Sequence, residues 1–179
     1  MAIAWQTVQD GLFDAVKGAV GGSVAVAWAM SNPSAPMPAK PCAILRLTSR
    51  DRAGGSLGQS FDDRQPTSVN GTFVYASHRQ HTLSVQVFSS TTIGDLAAGA
   101  IIGAIGRYLR LESTVLALRV AGCKLWQAAP AQDLSALLDT RAESRAQCDF
   151  TIATLDTTSE AVGWIETADL SQITVGGLN

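Results

Sequence analysis

The stretch HTLSVQVFSSTTIGDLAAGAIIGAIGRYLRL, residues 81–111, changes at its midpoint from the hydrophobic period of a strand to that of a helix. Leu83, Val85 and Val87 alternate with polar residues, which predicts a strand with one buried face. Apolar residues then recur at helical spacing from Leu96 to Leu109 and form one apolar stripe. The stretch therefore predicts a strand followed by a helix that folds back over the sheet.

Polar residues suited to a helix start precede this helix, and glycines interrupt it. Thr91 or Thr92 can cap its first turn, and Asp95 falls where the helix dipole favours a negative charge. Glycine costs about 1 kcal/mol relative to alanine inside a helix. We therefore expect the glycines of this helix to allow close approach to the sheet or to another helix; they are Gly99, Gly103 and Gly106.

The composition indicates one domain whose surface is partly covered by partners. The chain has 179 residues, of which 46% are hydrophobic and only 16% are charged, whereas about 25% charged is usual for a soluble domain. The net charge of -2 argues against a nucleic-acid-binding domain, although DNA could still pass through a neutral channel. No segment has the length of a membrane span, so no membrane partner is expected. The N-terminus lacks the pattern of a signal peptide, so we expect a cytoplasmic protein.

The cysteines and histidines do not have the spacing of a metal site. Cys42, Cys123 and Cys148 are far apart in sequence and odd in number, which predicts three buried, reduced thiols. His78 and His81 lie three apart on an extended segment, hence on opposite faces of a regular strand, and we expect both to be solvated. No metal or other cofactor is expected.

Outside the central stretch, hydrophobic periodicity predicts one more helix and several strands. The helix is expected over residues 4–19, with Gly21-Gly22 at its end. A proline-rich crossing with four prolines from Pro33 to Pro41 cannot be helix or central strand. This order predicts an α+β fold, an antiparallel or mixed sheet with two helices on one face. Strands are expected at 24–29, 42–49, 124–129, 141–155 and around Trp164, with a short strand or connection at 116–120, a loop or helical turn at 133–140 and a turn at 156–160.

The segment 50–70 is the largest irregularity in the single predicted domain, residues 1–179. It is rich in Gly, Ser, Asp and Arg without periodicity, which is typical of a functional or disordered loop. We expect it to be mobile in an isolated subunit and ordered against a neighbour. The following strand, if continuous from Thr72 to Ser89, would span roughly 60 Å. Such a length suits a projecting β-arm, although a break into two strands is the alternative.

One motif resembles a catalytic one. Gly54–Gly58 reads G-x-S-x-G around Ser56, and acidic residues and histidines follow in the order found in α/β-hydrolases. A nucleophile elbow needs an apolar strand directly before the serine and a helix directly after it. Neither is predicted here, so Gly54 to Asp63 is interpreted as part of a flexible loop without catalytic chemistry. The other residues of the hypothetical triad would be Asp62 or Asp63 and His78 or His81.

A strip of charges lies on the predicted strand 141–155. Arg141, Glu143 and Arg145 occupy every second position, and Asp133 is nearby in sequence. The strip is either a solvated strand face with weak cross-strand pairs or a subunit interface at which charges fix the register. We expect the interface, and we call Asp133, Arg141, Glu143 and Arg145 the charged strip.

At Asp133 the sequence DLSALLDTRAESRAQCDFTI resembles a segment of the phage neck or tail terminator family. The resemblance extends over most of the chain. It includes the opening helix with Trp5, the strand at 24–28, the proline-rich crossing into AILRLTS, the strand HTLSVQVFSS with its helix, and the closing EAVGWIETADLS. The insertion at 50–70 and the three glycines of the central helix depart from the pattern.

The resemblance implies a structural virion protein of the tail or neck without catalytic activity. Proteins of this family form a hexameric ring that caps the completed tail tube, joins the head-side connector and lets DNA pass through its lumen. The expected partners are thus other copies of the chain, the tail tube protein and the connector. The host cytoplasm would hold the subunit before tail assembly. The alternatives are a head-completion or neck adaptor ring, and a small serine hydrolase using Ser56.

Overall fold

The computed structural model describes residues 5–29, 36–62, 70–138 and 141–163, with side chains described at 5–29, 36–48, 79–135 and 143–155. Runs of strands and helices are segregated along the chain, and they form an α+β fold with a mixed sheet, as predicted. The helices are α1 (Trp5–Val20), α2 (Ala98–Tyr108) and α3 (Glu112–Val120). The strands are β1 (Ala25–Trp28), β2 (Cys42–Asp62), β3 (Asn70–Ser89), β4 (Cys123–Ala128), β5 (Gln132–Asp133), β6 (Ala136–Leu138) and β7 (Arg141–Gly163).

The sheet is mixed, and its strands follow the order β1-β2-β3-β7-β4. β1 pairs with β2 in parallel, and the other pairs are antiparallel. The short strands β5 and β6 also pair with β7. This one parallel pair makes an otherwise antiparallel sheet mixed.

The core lies between the helices and one face of the sheet, and the predicted core residues are all buried. Val85 on β3 and Cys148 on β7 are register partners on this face, as are Leu83 and Phe150. Ile105 of α2 is completely buried against them. The period-two alternation thus identified the buried face correctly. The six predicted core residues have at most 4% of their surface exposed: Leu83, Val85, Ile101, Ile105, Phe150 and Ile152.

Helix α2 begins later than predicted and is capped differently. No side chain caps it from Ala97, its N-cap residue. Instead, the backbone N–H of Ala98 donates to the hydroxyl of Ser144 on β7 over 3.1 Å. The predicted caps Thr91 and Thr92 lie several residues before the helix, as does Asp95. A partner distant in sequence therefore satisfies a donor that a local cap would otherwise satisfy.

The glycines that permit close helix packing lie in α1, not in α2. A Cβ at Gly11 would stand 2.6 Å from Cβ of Ala121, and one at Gly18 would stand 2.8 Å from the hydroxyl of Tyr108. At Gly99 and Gly106 of α2, a Cβ would meet nothing within 4 Å. The predicted role of the α2 glycines is therefore wrong, since they face away from the packed side.

Three other local predictions are wrong. Residues 116–120 belong to helix α3, whose Thr114 and Leu118 are buried one helical turn apart. The predicted turn at 156–160 is part of β7, which continues to Gly163 because β3 pairs with it throughout. Short strands β5 and β6 replace the loop or helical turn expected at 133–140. The strand predicted around Trp164 lies outside the described residues.

Strands β2, β3 and β7 continue past the body of the sheet as an arm. β3 is unbroken over 20 residues, so the longer of the two predicted alternatives is correct. β2 pairs with it as far as Asp62, with register shifts between Arg50 and Gly58. Residues 50–62 are thus strand rather than loop, because cross-strand hydrogen bonding orders a segment that lacks its own periodicity. Residues 63–69 lie outside the described part. We call the paired segments 53–62, 70–80 and 155–163 the arm.

His81 lies at the root of the arm and is buried rather than solvated. Only 5% of its surface is exposed, its Nε2 lies 3.0 Å from the hydroxyl of Thr154, and its ring packs against Trp5 with centroids 4.7 Å apart. The prediction of a solvated His81 is therefore wrong, because its position has the parity of the core face. The side chain of His78 lies outside the described residues.

The three cysteines are free and buried, as predicted. Burial raises the pKa of each thiol, that of Cys123 to about 11. The described helices include none with the length and apolarity needed to span a membrane.

Candidate functional site

Two members of the charged strip, Glu143 and Arg145, lie on the face of β7 opposite the core. Glu143 and Arg145 are half-buried, and Ser144 and Ala146 beside them are buried on the other face. Asp133 in β5 is exposed and is the register partner of Ala146, so it lies next to Arg145. The backbone of Arg141 pairs with Leu138, while its side chain lies outside the described ones.

An ion pair joins Glu143 to the proline-rich crossing. The ammonium of Lys40 contacts Oε1 of Glu143, and the two side chains remain 35% and 25% exposed. A pair this exposed contributes little to folding, about 0.2 to 1 kcal/mol. The pair brings the end of the proline-rich crossing, at Lys40, against Glu143 of β7. Lys40 was not predicted from the sequence, since nothing local indicates a partner 103 residues away.

A line of hydrogen bonds connects Arg145 to Asp149 across β3 and β7. Nη2 of Arg145 donates to Gln86 over 3.1 Å, the amide of Gln86 donates to Gln147 over 3.1 Å, and the amide of Gln147 donates to Asp149 over 3.3 Å. The guanidinium of Arg145 also lies over the ring of Phe88, 5.0 Å from its centroid. Each amide is thus oriented by a charged group at one end of the line.

A tight turn after β5 connects Asp133 to this line. The backbone N–H and the hydroxyl of Ser135 donate to Oδ1 of Asp133 over 2.9 and 2.5 Å. Both hydrogen bonds lower the pKa of Asp133 and favour its charged form, and the bond from the Ser135 hydroxyl has the larger effect. The N–H of Arg145 donates to the Ser135 hydroxyl over 3.2 Å, which holds the turn against β7. The alternating pattern marks Gln86 as a polar position of its strand, and Ser135 is polar as well. Their hydrogen bonds to Arg145, however, could not be predicted from the sequence.

The charged strip can present fixed charges to another surface. The catalytic-looking motif at Ser56 has a different backbone course from a nucleophile elbow. Ser56 lies within β2, where its backbone is the register partner of Ser77, and the strand continues on both sides. A nucleophile elbow requires the chain to turn into a helix after the serine. The geometry at Ser56 therefore contradicts the serine hydrolase alternative. Among the described side chains, no group of three or more metal-binding residues comes together.

A second surface lies at the β4 edge of the sheet. Trp126, at a register irregularity in β4, is 60% exposed, and Leu155 at the start of the arm is 42% exposed. They line a depression of about 360 Å³ together with Arg119 and Lys124. The sequence predicted a strand around Trp126 but gave no sign that its side chain faces outward.

A family of known proteins matches almost the whole chain. The family model described as Phage neck terminator protein matches residues 6–177 of the chain. Among curated proteins, none matches the chain at a significant level. Phage neck terminator proteins are structural proteins of the virion neck. Because the match covers almost the whole chain, from α1 through the end of the arm, this protein belongs to the phage neck terminator family.

Proposed function

We propose that the protein assembles into a closed ring, a hexamer, that caps the completed tail tube and joins it to the head-side connector. The match to the phage neck terminator family over residues 6–177 carries this proposal. DNA passes through the lumen without specific binding. The net charge of -2 and the small charged fraction of 16% support a lumen that does not retain DNA.

The charged strip forms part of the boundary between subunits. Its support is the preorganisation of its members: Glu143 is held by Lys40, Arg145 by Gln86 and Phe88, and Asp133 by Ser135. Side chains that are already fixed lose less conformational entropy on association. A one-step slip of such a strip would place like charges together, so the strip favours a single register. Arg141 belongs to the strip by its position at the start of β7.

Assembly and partner choice are tested with purified protein. The mass of the wild-type particle, measured alone by sedimentation and light scattering, should correspond to six subunits, and electron micrographs should show rings. Mixed with purified tail tubes, the protein should bind at one tube end and block further tube growth. A protein that stays monomeric with and without tubes contradicts the proposal. A ring that binds the connector but never a tube end indicates a head-completion adaptor instead.

A further inference from the structure

The depression at the β4 edge has the chemistry of a docking site. Trp126 and Leu155 supply exposed apolar surface, while Arg119 and Lys124 supply two exposed positive charges. Among the ion pairs of the described residues, none involves either cation. Among the described residues that line the depression, none is acidic. The site therefore suits a partner segment that combines large apolar groups with carboxylates.

The tip of the arm carries such a segment. Phe61 of β2 and Phe73 of β3 are register partners, and Tyr75 follows Phe73 at the next position of the same parity. Glu160 of β7 is the register partner of Phe73 on its other side, and Asp62 follows Phe61. Each of the two phenylalanines is thus adjacent to an acidic residue, Phe61 in sequence and Phe73 in register. In the arm, the register links β2, β3 and β7 alone among the described strands.

The arm tip cannot reach the depression of its own subunit. Leu155 lines the depression and begins the outward course of β7, and Glu160 lies five residues further along the same strand. At roughly 3.3 Å per residue, a continuous strand places Glu160 about 16 Å beyond Leu155. The pairing of β7 with β3 is unbroken across this interval, so the strand does not fold back.

We infer that the depression receives the arm tip of a second copy of this chain, the part of the arm in which backbone register brings Phe61, Phe73 and Glu160 together. The depression carries the cations Arg119 and Lys124, whereas the arm carries acidic residues near its tip, so the two surfaces are opposite in charge. The tip and the depression are different surfaces, so the contact is heterologous and propagates from one subunit to the next. This inference rests on the proposed ring, and it identifies the arm as the element that links one subunit to the next.

Engineered cross-linking tests the contact directly. The variant Lys124→Cys/Glu160→Cys, assembled and then mildly oxidised, should give a ladder of covalent oligomers on a non-reducing gel. Each single-cysteine variant serves as control and should give no ladder, because the native cysteines are buried. A cross-link confined to single chains, or no cross-link in an assembled particle, overturns the inference.

Substitutions provide an independent measurement. Trp126→Ala and Lys124→Glu should each weaken self-association on the order of 30-fold, as expected for a central anchor of an interface. Lys124→Glu/Glu160→Lys should recover most of that loss, whereas Lys17→Glu on the exposed end of α1 should have no effect. Thermal melting of each variant establishes that the subunit is folded, and Lys124→Glu is informative even if Trp126→Ala is unstable.

The outcomes separate this inference from the proposed function. If wild-type protein forms rings but Trp126→Ala and Lys124→Glu assemble equally well, the docking of the arm is wrong and the ring stands. If the wild-type protein never assembles, both are wrong.

Discussion

The hydroxyl of Ser144 accepts a hydrogen bond from the backbone N–H of Ala98 at 3.1 Å, which joins β7 to the first residue of α2. Both residues are buried, with 4% and 0% of their surface exposed. The bond satisfies a backbone donor in the first turn of α2, as a helix cap does, although the two residues are 46 apart in sequence. It also couples the start of α2 to the strand that carries the charged strip.

The Ser144→Ala variant should therefore destabilise the subunit by about 1 to 2 kcal/mol, the usual range for loss of a helix cap. Thr91→Ala is the matched control, because sequence patterns favour Thr91 as the cap but it lies outside the helix. Urea unfolding of both variants at neutral pH gives the comparison. An equal loss of stability in the two variants would contradict the tertiary cap.

Substitution of the two kinds of helix glycine should have opposite effects on stability. Gly11→Ala should cost about 1 to 3 kcal/mol through overpacking against Ala121. Gly106→Ala places its methyl group in open space and should stabilise the isolated subunit by up to about 1 kcal/mol. Thermal unfolding measures both. A destabilising Gly106→Ala would show that α2 has a packing contact absent from this fold.

Truncation of two isoleucines should separate the core from the surface. Ile105 is fully buried, and Ile105→Ala should cost about 2 to 4 kcal/mol of unfolding free energy. Ile93 is 82% exposed, so Ile93→Ala should change stability by less than about 0.5 kcal/mol. Denaturant titrations in which both variants unfold with the same dependence on denaturant concentration provide the measurement. Similar losses of unfolding free energy in the two variants would contradict the burial of Ile105 in the core.

Charge reversal in the charged strip should affect assembly more than folding. Glu143→Lys removes the ion pair with Lys40 and leaves two ammonium groups adjacent, yet the site is partly exposed and the loss should be about 1 kcal/mol or less. The variant should remain folded but fail to form rings. Sedimentation beside the melting temperature tests this, and normal assembly would show that the strip is only a solvated face.

Two second-site changes distinguish the partners of Glu143. Lys40→Glu in the Glu143→Lys background should restore subunit stability, because the pair is re-formed with its charges exchanged. Arg145→Glu in the same background should restore assembly only if residues 143 and 145 meet across the boundary. Recovery of assembly by Lys40→Glu alone would assign the defect to folding of the proline-rich crossing.

The buried thiol of Cys123 should make stability fall at alkaline pH. Its pKa is raised in the folded state from an ordinary value of 9.0 to about 11 by burial. Between these values the unfolded chain loses a proton that the folded chain keeps, so stability declines as pH rises from 9 toward 11. Unfolding experiments on wild type and Cys123→Ala across this range should show a shallower decline in the variant. Identical pH profiles would contradict the raised pKa.

Local pattern was sufficient for the elements whose burial repeats at a regular period. The alternation at Leu83, Val85 and Val87 and the helical stripe that includes Ile101 and Ile105 identified the buried faces, because the pleat and the helical turn fix which side chains share a face. Of the candidate site, the alternation placed Glu143 and Arg145 together on the outer face.

The order of helix and strand patterns along the sequence predicted the fold class. Local alternation determined the core face of the sheet and the outer face on which Glu143 and Arg145 lie, since each face depends on neighbours within a few residues. Only the tertiary structure decided that residues 50–62 are strand, that Ser144 caps α2, and that Lys40 pairs with Glu143. These features depend on hydrogen bonds and charges between residues far apart in the chain. Their energy is realised only after the sheet has formed, so no local pattern records them.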